Sequence, residues 1–170
     1  NYEADLFGNS IDISDSPDLI PGNSIEMFSA LQPLGFDLIF MNRHFNHFYV
    51  HSNGFIRLAF RNSANYPSTG SWFMNDLTIV NGYKPELDIS NAIIAPFWSF
   101  MRTSSAGPTI RSVLTGSAPN RCRTITWHVY IPESSTNSTV PADGEFQLRI
   151  YETSGIIEFV YRRMTIGNTI

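Results

Sequence analysis

Alternation of apolar and polar residues, in short runs rather than in a sustained helical repeat, is the feature that most constrains how this chain can fold. Successive side chains of a strand point to opposite faces, so a run of period two predicts a strand with one buried face. Such runs occupy residues 35–40, 145–151 and 156–161. The side chains that we expect to face inward are those of Phe36, Leu38, Phe40, Phe146, Leu148, Ile150, Ile157, Phe159 and Tyr161.

A turn signal joins two further apolar runs into a predicted hairpin. Residues 48–51 and 55–60 flank Asn53 and Gly54, and both of these residues tolerate the positive φ of a tight hairpin turn. On the second arm of this hairpin, we expect Arg57 to face water because its neighbours in the alternation are apolar.

Other segments complete the secondary-structure signals. Residues 92–98 predict a buried strand that ends near Pro96, since proline cannot donate to a ladder. Residues 109–114 and 123–130 predict two strands joined by a turn-rich segment, and the only helix candidate is the short segment 24–31. The residues expected on the inner face of the second of these strands are Ile125, Trp127 and Val129.

Seven or more short strands separated by turn signals predict an all-β fold. We expect an antiparallel β-sandwich with long loops, of jelly-roll-like or Ig-like architecture, in which the inward aromatic faces of two sheets pack against each other. A chain of 170 residues is long enough for one domain with a hydrophobic core and short for two. We therefore predict a single domain over residues 1–170 with its core in residues 34–161, as a piece of a longer polypeptide or alone.

Composition and charge narrow the class of function. The formal net charge of -4 argues against nucleic-acid binding, which needs a concentrated basic face. No run approaches the roughly 20 apolar residues that span a bilayer. The single cysteine, Cys122, excludes an internal disulfide, and the absence of bridges favours a bacterial envelope protein over a secreted eukaryotic one. The only glycosylation sequon begins at Asn137 and matters only on a eukaryotic secretory route.

Signals for catalysis are weak. The sequence has neither a Gly-x-Ser-x-Gly elbow nor a glycine-rich phosphate loop. Cys122 lies between two arginines within a predicted strand, where an inert small residue is favoured over a nucleophile. Glu145 and Glu158, or Glu86 and Asp88, would form a glycosidase pair only at a defined separation. We therefore expect no enzymatic activity.

Two groups of residues are candidate metal ligands. His47 and His51 share one face of a predicted strand, near His44, and imidazoles are common transition-metal ligands. No carboxylate or cysteine follows at ligand spacing, so ordinary strand residues are the favoured alternative.

The second group is Asp12, Asp15 and Asp18, which do not match a calcium loop. A solvated loop is favoured there, with a weak surface calcium site as the alternative. We expect no dedicated cofactor.

Aromatic residues in the long segment 61–90 are the candidate ligand-binding residues: Tyr66, Trp72, Phe73 and Tyr83. Aromatic faces stack on sugar rings or anchor a protein interface. The alternative, which we favour, is a loop held on the sheet by its own aromatic residues.

The end of the chain is a further candidate contact. Residues 163–170 begin another alternating segment. A sandwich that ends there leaves a sheet edge that needs a partner strand. We expect a following segment of a longer polypeptide, or another chain through strand exchange, to fill that edge.

Five short motifs follow one another along the chain: VHSNGFI at 50–56, IAPFW at 94–98, ITW at 125–127, EFQL at 145–148 and IEFVY at 157–161. In this order they resemble the nidogen-like (NIDO-type) extracellular domain, and more closely the related β-sandwich modules of large secreted bacterial surface proteins. The resemblance covers roughly residues 34–161 and implies an adhesive or architectural module with no catalytic residues to carry over. One departure is that such domains usually place an acidic residue shortly after the tryptophan of the PFW motif, whereas Ser99, Phe100 and Met101 follow Trp98 here.

Together these observations predict a non-catalytic extracellular structural or adhesion module of an exported cell-surface protein. Its expected partners are other protein subunits or cell-surface glycans. The alternative is a carbohydrate-binding module attached to a secreted enzyme.

Overall fold

The computed structural model describes residues 10–13, 15–60, 92–130 and 144–164, which form ten strands. The strands are β1 (Asp18–Ile20), β2 (Gln32–Phe40), β3 (Arg43–His51), β4 (Phe55–Ala59), β5 (Ile93–Ile94), β6 (Arg102–Thr103), β7 (Ile110–Thr115), β8 (Cys122–Tyr130), β9 (Gly144–Tyr151) and β10 (Ile157–Met164). These residues include no helix, and hence none with the length and hydropathy to cross a membrane.

The helix candidate at residues 24–31 does not form a helix. Ile25 and Phe28 make isolated bridges to Arg102 and His51 instead, and Glu26 between them has a φ of 48°. A helix this short has little stability of its own, so pairing with the neighbouring strands determines its conformation.

Two antiparallel sheets pack face to face, which confirms the predicted all-β sandwich. The six-stranded sheet has the order β1-β7-β8-β9-β10, with β6 pairing the far end of β8, and the four-stranded sheet has the order β2-β3-β4-β5. Strands β7 to β9 and β2 to β4 each pair with the next strand in the chain, so both sheets are built mainly from antiparallel neighbours.

The hydrophobic core lies between the sheets and contains nearly all of the side chains that alternation placed inward. Trp127, Phe146 and Leu148 of the six-stranded sheet and Phe48 and Ile56 of the four-stranded sheet are each 0% exposed. Complete burial of a large apolar side chain stabilises a fold by about 1.5–3 kcal/mol, so these rows dominate the stability of the sandwich.

Three predictions from alternation need correction. Arg57 was expected to face water but is buried, because both faces of β4 are covered and all five of its residues are buried. Phe159 and Tyr161 lie opposite the inward-facing Leu148 and Phe146, yet their side chains are 44% and 36% exposed. The reason is that β10 is an edge strand of its sheet among the described residues.

The outer face of the six-stranded sheet is covered by residues 10–13. The Gln147 side-chain amide donates to the Ile11 carbonyl (2.7 Å) and accepts from the Ile11 amide (3.1 Å), as a neighbouring strand would. The Gln147 amide also donates to Thr126 Oγ1 (3.0 Å). Ile13, two residues after Ile11, is buried. Thr124 and Thr126 are therefore buried although they lie on the outer face of β8.

We expect Gln147→Ala to lower the free energy of unfolding by about 2 kcal/mol, because it leaves buried polar partners unsatisfied. Amide hydrogen exchange at Ile11 should also lose protection. The matched control is Gln32→Ala, whose side chain makes an exposed hydrogen bond to the Ala30 carbonyl and whose loss should cost less than about 0.5 kcal/mol. Equal losses in the two variants would contradict the role given to Gln147.

Candidate functional site

The turn after β3 and the loop after β5 are joined by backbone hydrogen bonds. Phe97 N donates to Gly54 O (3.3 Å), and Ser99 N donates to Asn53 O (3.2 Å). The Asn53 side-chain oxygen accepts from Met101 N (3.3 Å) and is fully buried with its residue. We call this unit the turn–loop junction, comprising residues 52–54 and 97–101. It joins the first two of the five motifs although they are more than forty residues apart in the chain.

Gly54 is the residue that permits this close approach. Its φ is +79°, and a Cβ placed on it would lie 1.9 Å from the carbonyl oxygen of Phe97. Only glycine combines a positive φ with the absence of a Cβ, so the junction depends on this position.

We expect Gly54→Ala to lower the free energy of unfolding by about 3 kcal/mol or more, because the positive φ and the contact with backbone oxygen both act against a side chain. The matched control is Gly155→Ala. Gly155 has a φ of +63° but nothing within 4 Å of the added Cβ. The control should lose only the conformational cost of about 1–2 kcal/mol. The measurement is chemical denaturation of both variants. Equal losses in the free energy of unfolding would refute the role of the junction.

Trp127 connects this region to the opposite sheet. Its indole Nε1 donates to the carbonyl oxygen of His51 (3.0 Å), and the whole side chain is buried. Its ring stacks on Phe146, the residue opposite in the ladder, with a centroid distance of 5.2 Å. Phe146 in turn contacts the rings of Phe97 (5.9 Å) and Tyr161 (6.4 Å). All five motifs therefore meet in one packed region.

His51 belongs to an aromatic cluster beside the junction. Its ring lies 4.4 Å from that of Phe28 and 4.6 Å from that of Phe55 (centroid distances), and it is 0% exposed. Burial lowers the pKa of His51 to about 3. Nδ1 accepts a hydrogen bond from Asn53 N (3.1 Å), so the neutral ring carries its proton on Nε2.

This environment makes the stability of the protein depend on pH. The folded state holds His51 neutral. The contribution of this residue to the free energy of unfolding is therefore complete above pH 6.5 and is lost progressively as the pH falls towards 3. Between pH 7 and pH 5, we expect the free energy of unfolding of the wild type to fall by about 2 kcal/mol more than that of His51→Gln. The amide oxygen of the glutamine can still accept from Asn53 N.

The measurement is urea denaturation at both pH values. Burial also lowers the pKa of His128, so the comparison is repeated in a His128→Gln background, where the difference should persist. If the stability of His51→Gln depended on pH as that of the wild type does, His51 would not be the titrating group.

The predicted histidine metal pair stays a prediction. The structure places His51 within the aromatic cluster, whereas His47 is partly exposed and its Nδ1 lies 2.7 Å from the side-chain oxygen of Asn46. In the part of the chain that the structure describes, no group of three or more His, Cys, Asp or Glu residues could hold a metal ion. Asp18, from the other candidate group, forms an ion pair with Arg111 (2.6 Å).

Arginine partners occupy the other carboxylates of the six-stranded sheet. The pairs are Glu152–Arg121 (2.5 Å), Glu145–Arg162 (2.8 Å) and Glu158–Arg149 (3.2 Å). Arg121 holds the pKa of Glu152 below its usual value. Glu158 pairs with residue 149, four positions along β9 from Glu145, so the backbone positions of these two residues are separated by about 13 Å along the sheet. The glycosidase hypothesis for this pair stays a prediction.

Several residues proposed from the sequence lie outside the described residues. They are Tyr66, Trp72, Phe73, Tyr83, Glu86, Asp88 and Asn137. The sugar-stacking, carboxylate-pair and glycosylation hypotheses built on them stay predictions.

The free edge of β10 is a surface that the alternation pattern did not reveal. Ile156 (57% exposed), Phe159 (44%) and Tyr161 (36%) are among the large apolar side chains at the surface, and they follow one another along this strand and the turn before it. Tyr161 also donates a hydrogen bond to the carbonyl of Pro96. No strand among the described residues pairs with the other side of β10.

These contacts define a β-sandwich in which the motif residues Asn53, Trp127 and Phe146 are buried and make backbone hydrogen bonds or ring contacts. The chain belongs to the family described as NIDO related, whose model matches residues 16–169. The resemblance seen in the five motifs is thereby confirmed, and domains of the NIDO type are typically extracellular. No curated protein and no solved structure matches the chain.

Proposed function

We propose that this chain is a non-catalytic structural or adhesion module of an exported surface protein, of bacterial origin, and that it acts by contact with other proteins. The observation that carries the proposal is the apolar edge strand β10, where Phe159 and Tyr161 lie at the surface beside a backbone edge with which no strand of the described residues pairs. Natural sheets usually block such an edge because it is a template for pairing with another chain.

The charged groups support a scaffold rather than an enzyme. Four carboxylates of the six-stranded sheet and its β1 edge have arginine partners within 3.2 Å. His51, whose pKa burial lowers to about 3, is fully buried and packs against the rings of Phe28 and Phe55. A general acid or base needs a pKa near the working pH and access to the reacting atom, and His51 has neither.

Adhesion can be tested with beads that carry the full 170-residue chain. We expect the beads to attach to cells of the organism that produces the protein, and Phe159→Lys to reduce attachment at least tenfold, because a charge at the edge disfavours strand addition. The matched control is Ile39→Lys, which changes another exposed apolar residue, 63% exposed, in the four-stranded sheet. It should leave attachment unchanged.

Equal attachment by the two variants would contradict contact through β10. A glycan array on the same chain provides the competing outcome. Sugar binding that survives Phe159→Lys and is lost in Trp72→Ala would establish the carbohydrate-binding alternative instead.

A further inference from the structure

The hydrogen-bonding direction of β10 can be derived from one observed bond. Tyr151 N donates to Ile156 O (3.0 Å), so the carbonyl group of Ile156 points towards β9, while its amide donates to Ser154 Oγ (3.3 Å) in the turn. Backbone polar groups alternate in direction along a strand. Consequently, residues 158 and 160 also bond to β9, whereas the amide and carbonyl groups of Ile157, Phe159 and Tyr161 point away from the sheet.

The outward-pointing amide and carbonyl groups of these three residues can pair with the same groups of a second, antiparallel copy of β10. If two copies of β10 run antiparallel with Phe159 opposite itself, Ile157 of each copy lies opposite Tyr161 of the other. The outward-pointing groups then meet in three hydrogen-bonded pairs, with two bonds each. The same register places apolar side chains opposite each other on the inner face, where cross-strand pairs of this kind stabilise by about 0.2–1 kcal/mol each.

We propose that β10 pairs with β10 of a second copy of this chain about a two-fold axis at Phe159, which joins the two six-stranded sheets into one. This inference rests on the proposed contact function and names its partner. A two-fold axis makes the interface isologous, so a single self-complementary patch is sufficient.

Strand geometry selects this register, in which no like charges stand directly opposite each other. A bulge interrupts the ladder between Tyr161 and Arg163. A shift of two residues towards the bulge would bring Arg163 opposite Ile157 and break the third hydrogen-bonded pair, so the register centred on Phe159 uses the whole regular part of the strand.

Disulfide trapping tests the axis directly. Phe159→Cys in a Cys122→Ala background should cross-link to itself, because Cα atoms of a hydrogen-bonded pair lie about 5.5 Å apart, within the range that a disulfide bridges. The control is Ile156→Cys in the same background. Its side chain is at least as exposed, at 57%, but its counterpart would lie about 20 Å away along the pair. We expect the first variant to cross-link at least tenfold faster under the same glutathione buffer.

Sedimentation of the unmodified chain gives an independent measurement. We expect a reversible dimer in the micromolar to millimolar range, since a five-residue strand pair is smaller than a standard interface, and we expect Phe159→Lys to abolish it while Ile39→Lys does not. A monomer at concentrations up to about 1 mM, together with equal cross-linking of the two cysteine variants, would overturn the proposal. If β10-dependent attachment to cells persists in that case, the contact function stands and the second copy is the wrong partner.

Discussion

The docking of the Asn53–Gly54 turn on the loop of residues 97–101 is the constraint on which the rest of the structure depends. Buried backbone groups must find partners, and here each chain segment provides them for the other. The docking fixes the end of β3, where the His51 carbonyl receives the Trp127 indole from the opposite sheet. The separation of the two sheets, the stacking of Trp127 on Phe146 and the position of Tyr161 beside Pro96 follow from it.

Much of the fold was predictable from the sequence because period-two runs report which face of a strand is buried. Phe146, Leu148 and Ile150 were placed correctly in this way, and the Asn53–Gly54 hairpin followed from turn chemistry alone. Local patterns do not report what covers the second face of a strand. Arg57 and Thr124 are buried although the alternation in their own strands places them outward. Phe159 is exposed because β10 is an edge strand among the described residues, and nothing in its own run indicates an edge position.

The candidate site was less predictable than the fold. The sequence predicted a contact at the end of the chain, which stays a prediction, whereas the exposed apolar surface begins at Ile156 in the turn before β10 and continues at Phe159. His51 was proposed as a metal ligand because it shares a strand face with His47. Its surroundings, Phe28 and Phe55, come from other parts of the chain and lower its pKa. Most of the family motifs therefore mark packing positions, and the proposed contact surface lies on the last of them, at the margin of that packing.

The two margins of the six-stranded sheet are unlike each other. At one, β1 has only three residues, an irregular register and the ion pair between Asp18 and Arg111, features that discourage further strands from joining. At the other, β10 offers an extended apolar strand. In the proposed dimer, lateral growth of the sheet therefore stops after one addition, so surfaces bearing many copies would be linked pairwise and would not nucleate fibres.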